Sequence, residues 1–118
     1  MSIRDIAKKY DIALIALFGS RARGDFRDDS DADIAYLGNR GLSLEDEARL
    51  AMDITEELKS RVDLVDIRKS SPLLRYHVFK EGKPLYEKES GFFTEGFLRA
   101  LRIYYETIAL YQAKRAML

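Results

Sequence analysis

Apolar residues along this chain repeat with two different periods, and the changes of period mark out its elements. Ile3, Ile6, Ala7 and Tyr10 follow the i, i+3, i+4, i+7 spacing behind Ser2, a good N-cap residue, so residues 3 to 10 read as a short amphipathic helix. Ile12 to Phe18 is a continuous apolar run, short for a globular helix and stopped by Gly19, which suits a buried strand. Residues 19 to 30 are polar and read as a loop with one helical turn after Gly19 and Ser20. Asp31 to Leu37 has strand character through Ile34, Tyr36 and Leu37, and Gly38 and Gly41 end it.

The second half continues the alternation of helix and strand. Ser43 with Asp46 resembles a capping box, and Leu44, Ala48, Ala51, Ile54 and Leu58 form one stripe, predicting a helix from about 44 to 59. Arg61 to Ile67 reads as a third strand with Val62 and Leu64 on one side and Asp63 and Val65 on the other. Ser71 and Pro72 supply an N-cap and a first-turn proline for a helix over Leu73 to Lys80, with Gly82 as its stop. Lys83 to Glu87 reads as a short strand, placed at a sheet edge by Pro84. From Phe92 onward, Phe93, Phe97, Leu101, Ile108 and Tyr111 recur at helical spacing despite Gly96, with Tyr104 and Tyr105 between them. Such a helix, about 38 Å long at 1.5 Å per residue, exceeds what a domain this small can cover, so part of it is expected to overhang.

Composition narrows the classes. The chain has 118 residues, 47% hydrophobic, which is one domain with a core of its own. The absence of cysteine excludes a disulfide scaffold, a thiolate zinc site and a cysteine nucleophile. With no long apolar span and no leader-like cleavage pattern, the expectation is a soluble cytoplasmic protein without a membrane contact. The formal charge is zero, yet residues 25 to 66 hold thirteen acidic and five basic side chains, while the flanking segments are basic. Five aspartates, Asp25, Asp28, Asp29, Asp31 and Asp33, fall within nine residues, where their repulsion is costly unless cations offset it.

The acids sit beside a turn suited to phosphate. Asp31 and Asp33, two apart on a strand, project on one face and can grip Mg²⁺, which takes hard oxygen ligands from carboxylates and phosphates. Gly19 permits close backbone approach, Ser20 and the N–H groups after it can bind phosphate oxygens, and Arg21 and Arg23 add positive charge. Each piece is common alone; the joint spacing of Gly19, Ser20, Asp31 and Asp33 is not. Asp25, Asp28 and Asp29 read as loop residues in Asx turns, and the single histidine, His77, as a surface or boundary residue.

The stretch LFGSRARGDFRDDSDADIAYL resembles the G-S-x10-D-x-D signature of nucleotidyltransferases with the polymerase-beta palm fold. It is more closely similar to the minimal nucleotidyltransferases, the MNT domains of MntA-type adenylyltransferase antitoxins, and the likeness runs on through RVDLVDI and SSPLLRYHVFKEGKPLYEK. The resemblance implies an α+β fold, an α/β sandwich with a small mixed sheet, helices on one face and a long C-terminal helix. Residues 1–90 would form the nucleotidyltransferase core and 91–118 the C-terminal helix of the same domain. It implies transfer of AMP from ATP to a hydroxyl, with two Mg²⁺ ions, or Mn²⁺ in their place, and release of pyrophosphate. The implied partner is a HEPN-type, HepT-like toxin silenced by adenylylation of a tyrosine.

The family pattern also asks for a third carboxylate on a neighbouring strand. RVDLVDI offers Asp63 and Asp66; Asp63 is preferred, because it lies between apolar neighbours and at the family's position, while Asp66 would cap or pair near the following loop. Asp31, Asp33 and Asp63 are thus the expected catalytic metal ligands, and Gly19, Ser20, Arg21 and Arg23 the expected nucleotide contacts. Two other readings remain: a non-catalytic toxin-binding module, and nucleotidyl transfer to a small molecule. No DNA template is expected, since no basic duplex-binding surface is visible. The aromatic-rich C-terminal helix is expected to meet a second copy of the chain or the HEPN-type partner.

Overall fold

Local capping signals set the helix boundaries in the computed structural model, which describes residues 1–24 and 30–117. Asp25, Asp28 and Asp29, expected in Asx turns, lie outside the described residues. The first helix, α1 (Ile3–Lys9), starts at Ser2, whose hydroxyl accepts from Asp5 N while Asp5 accepts from Ser2 N, a full capping box. Strand β1 (Ile12–Phe18) runs straight into the one-turn helix α2 (Gly19–Arg23). Strand β2 is Ala32–Gly38, so Asp31 stands just ahead of the strand rather than in it. Ser43 caps α3 (Leu44–Leu58) by accepting from Asp46 N. Strand β3 (Val62–Asp66) ends in a 3-10 turn, Ile67–Lys69. Ser71 caps α4 (Pro72–Glu81), with Pro72 in the first turn as expected. Strand β4 (Lys83–Glu87) and the long helix α5 (Phe92–Ala116) complete the chain.

The four strands form one mixed sheet in the order β3-β2-β1-β4. β1 is antiparallel to both β2 and β4, whereas β2 and β3 are parallel. That parallel pair needs a crossover, and α3 supplies it. β4 takes the edge, where Pro84 breaks no interior ladder.

The helices are not all on one face, and here the sequence expectation is corrected. Ile6, Ala7 and Tyr10 of α1 with Leu50 and Ile54 of α3 cover the face that carries Ile34 and Tyr36. Val78 and Phe79 of α4 with Ala100 of α5 cover the opposite face, at Leu14 and Ala35. The cause is in β1 and β2 themselves: apolar residues at consecutive positions give both strands two faces to bury, as in sheets sandwiched between helices.

Gly96, the exception in the α5 pattern, marks where this helix crosses α4. A Cβ there would stand 2.7 Å from the Phe79 ring, so only glycine allows the approach. Beyond Ile108 every described residue of α5 is exposed, with Leu110 and Tyr111 at 73% and 66%. This overhang explains a radius of gyration of 15.5 Å, against about 13.5 Å for a compact domain of this length. Among the described residues, no helix is long and apolar enough to cross a membrane.

Candidate active site

The sheet brings two carboxylates to one level. In the parallel ladder Asp33 of β2 is the direct neighbour of Asp63 of β3, so both side chains leave the same face of the sheet. On the other flank Asp33 is paired with Phe18, the last residue of β1, and the chain turns at once into Gly19. Gly19 has φ +71°, and a Cβ on it would lie 2.2 Å from Asp33 Oδ2. Glycine is therefore required twice, for the left-handed backbone and for the contact of main chain with carboxylate.

Asp33 is half-buried, and burial comes first among the influences holding its carboxyl above the usual carboxylate range. The negative charges of Asp63 and Asp31 add to this, and Arg23 opposes it. The three aspartates nominated from sequence thus act on one another, although Asp31 and Asp63 are themselves exposed. Among the described residues, no three His, Cys, Asp or Glu side chains are gathered tightly enough to form a ready-made metal cage. The donor chemistry, oxygen ligands of one sign around a half-buried carboxylate, fits a hard divalent cation such as Mg²⁺.

Asp66 has a different environment. It accepts from Arg68 N at 3.0 Å, capping the 3-10 turn, and it pairs in the ladder with Tyr36 on the opposite face from Asp63. Its charge, after burial and the bond to Glu47, also contributes to keeping the Tyr36 phenol protonated.

The basic residues around the turn are engaged within the chain. Arg21 donates to the Ser30 carbonyl at 2.6 Å and so ties α2 to the start of β2. Arg23 pairs with Glu81 at 2.9 Å, joining α2 to the end of α4. Sequence reasoning missed Glu81, because nothing at its own position signals a partner 58 residues earlier. Ser20 stands in the first turn of α2, whose N-terminus has no side-chain cap. His77 is exposed and lies 4.0 Å from Glu81.

A glycine turn pressed against a strand aspartate, with a second aspartate level with it on a parallel neighbour, is a nucleotidyltransferase arrangement. The family model of Polymerase beta, Nucleotidyltransferase matches residues 1–91, and the chain belongs to that family, with its mixed-sheet α+β fold. Among particular relatives, the protein adenylyltransferase MntA of Shewanella oneidensis is 40% identical over 75 residues, which are 64% of this chain and 54% of that protein. The chain thus spans about half the length of that relative. A crystal structure of a toxin–antitoxin with AMP-PNP superposes with a TM-score of 0.80 at 30% identity, covering 98% of this chain and 96% of that one. A structure of the tri-AMPylated Shewanella oneidensis HEPN toxin in complex with its MNT antitoxin gives 0.73 at 28%, covering 98% and 93%.

Proposed function

We propose that this protein transfers AMP from ATP to a tyrosine hydroxyl of a HEPN-type, HepT-like toxin in the cytoplasm and so acts as its antitoxin. The observation that carries the reading is the register of Asp33 opposite Asp63 with Gly19 packed on Asp33. Asp31, Asp33 and Asp63 would hold two Mg²⁺ ions. When bound, such ions stabilise the attacking and leaving oxygens of an in-line displacement at the α-phosphorus. Gly19 and Ser20 give the triphosphate a close backbone approach and a hydroxyl donor, and the charges of Arg21 and Arg23 lie beside it. The acceptor oxygen forms a bond to the α-phosphorus, the bond between the α and β phosphates breaks, pyrophosphate leaves, and the hydroxyl proton passes to water. Asp33, partly desolvated and packed against Gly19, would hold its carboxylate beside the phosphate turn.

In this reading residues 1–90 are the transferring core. The segment 91–118, which carries α5, meets the partner, with Tyr105 and Tyr111 exposed at 61% and 66%. The relatives that carry the comparison are themselves a toxin–antitoxin pair and an adenylyltransferase. The test is to incubate the protein with α-labelled ATP, Mg²⁺ and the product of the neighbouring gene. Label on a tyrosine of that product, lost with EDTA, is expected. Binding without label would favour a non-catalytic antitoxin, and label on small molecules alone would favour the small-acceptor reading.

A further inference from the structure

We infer that the cavity between the sheet, α4 and α5 is a subsite for the acceptor polypeptide, taking an apolar side chain with a neighbouring carboxylate about four residues from the tyrosine to be modified. The inference rests on the proposed transfer activity. The cavity measures about 400 Å³, with Leu37 of β2, Phe79 of α4 and Ile103 of α5 as apolar walls and Arg68, Arg75 and Arg99 as its charge.

These arginines have no carboxylate partner among the described residues. Arg68 donates to the Gly38 carbonyl and Arg75 to the carbonyls of Arg68 and Ser70, while the Nε of Arg75 is buried with no hydrogen-bond partner. Carbonyl oxygens orient a guanidinium without neutralising it. The larger cavity beside α1 is different: its Lys9, Arg40 and Arg49 pair with Asp53, Asp11 and Glu45. Oriented guanidinium groups beside apolar walls suit a carboxylate carried next to an apolar side chain.

The place of the cavity on the sheet decides what carries that carboxylate. Asp63 and Val65 leave one face of β3, and Ile67, on the cavity wall, follows on that side. From Asp63 to Ile67 is about 13 Å along the strand, and an extended polypeptide covers that length in about four residues. β3 is the outermost strand of the sheet, Asp63 is exposed and Val65 only half-buried, so this track follows an accessible edge. Its two ends have opposite charge. The arginines hold an acid at one end, and the aspartates at the other repel an acid and receive a neutral hydroxyl. An acceptor whose acid stands too close to its tyrosine brings like charges together, so the track selects for spacing as well as for composition.

The probe is a fluorescein-labelled peptide with Phe-Glu about four residues from a single Tyr, titrated into the full chain in EDTA and followed by anisotropy. Saturable binding is expected, about tenfold weaker in Arg99→Glu and about tenfold weaker for a peptide with Gln in place of Glu. A peptide with Lys in that place should bind Arg99→Glu better than wild type, a reversal that a merely unfolded variant does not give. Absence of saturable binding, or equal affinity for the Glu and Gln peptides, overturns the subsite. With Mg²⁺ and α-labelled ATP, transfer to the peptide Tyr should peak at that spacing and fall as the spacer is shortened or lengthened; equal labelling at every spacing overturns the track. Anisotropy requires neither metal nor transfer. A protein that binds the peptide yet labels nothing, the neighbouring gene product included, defeats the transfer reading and the acceptor role with it, whereas one that labels that product and ignores the peptide acid defeats the subsite alone.

Discussion

The two faces of the sheet are built from alternate residues of the same strands, yet they treat their acids in opposite ways. On the face covered by α1 and α3, Tyr10 donates to Asp53 at 2.6 Å and Tyr36 to Glu47 at 2.5 Å, so carboxylates serve as acceptors at the rim of an apolar core. On the other face Asp33 meets the charges of Asp63 and Asp31, with Arg23 in opposition. The first face uses its acids to close the structure. Among the described residues, the second sets Asp33 against two like charges, an imbalance that a bound cation would offset. The difference teaches that the acidic middle of the chain is two populations, one on α3 against the first face and one on β2 and β3 at the second, which net charge conceals.

The comparison breaks most sharply at the aspartates. Asp33→Asn should lower transfer by about a thousandfold or more, because removal of a charged ligand forfeits several kcal/mol of transition-state stabilisation. Its melting temperature should hold or rise, since a repelling charge is gone; retained activity in the labelled ATP assay would sink the site. Asp63→Asn should follow it, and Asp66→Asn should instead disturb the 3-10 turn while leaving turnover closer to wild type.

The opposite face should answer in stability. Ile54→Ala, at a fully buried position, is expected to cost about 3 kcal/mol in denaturant unfolding. Turnover per folded molecule should be unchanged at a temperature where the variant remains native. Gly96→Ala pushes a methyl against Phe79 and should cost about 1–3 kcal/mol. Because it acts between α5 and α4, it should lower stability while leaving ATP turnover per folded molecule near wild type.

The smallest effect concerns Tyr10→Phe, about 1 kcal/mol through the lost bond to Asp53. That bond, and then Lys9, hold the Asp53 carboxyl below its ordinary value of 3.8. A depressed carboxyl contributes stability above its unfolded pKa and loses it as pH falls through the folded one. The gap between wild type and Tyr10→Phe, measured by denaturant titration, should therefore be full near neutrality and close below about pH 4.

Much of the architecture was legible in the sequence because it depends on short-range physics. Periodicity and caps located α1, α3 and α4, from Ser2 and Ser43 to Ser71 with Pro72, periodicity located α5, and the apolar runs located the strands to within a residue or two, while the 3-10 turn at Ile67–Lys69 reads in the sequence as the end of β3. The polymerase-beta fold was what the resemblance of the stretch carrying Gly19, Ser20, Asp31 and Asp33 implied, and the family match agrees. Relations between elements were less accessible. The division of helices between two faces depends on which side of a twice-apolar strand each helix meets. The level placement of Asp33 and Asp63 requires a parallel register across a crossover, and the cavity between the sheet, α4 and α5 draws Arg68, Arg75 and Arg99 from three segments that show no common pattern. Gly96 looked like a flaw in α5 until Phe79 was seen beneath it.

That parallel register has a further consequence, for the order in which the molecule is assembled. Asp33 and Asp63 are separated by all of α3, so the nascent chain cannot bring them level until the crossover has formed and docked. Closing such a long loop is entropically unfavourable before apolar contacts compensate it. The antiparallel β1–β2 ladder, closed by a shorter loop, can therefore precede the meeting of like charges. If the charges meet only after the hairpin, Asp33→Asn should leave the folding rate nearly untouched while slowing unfolding, as a chevron plot would show.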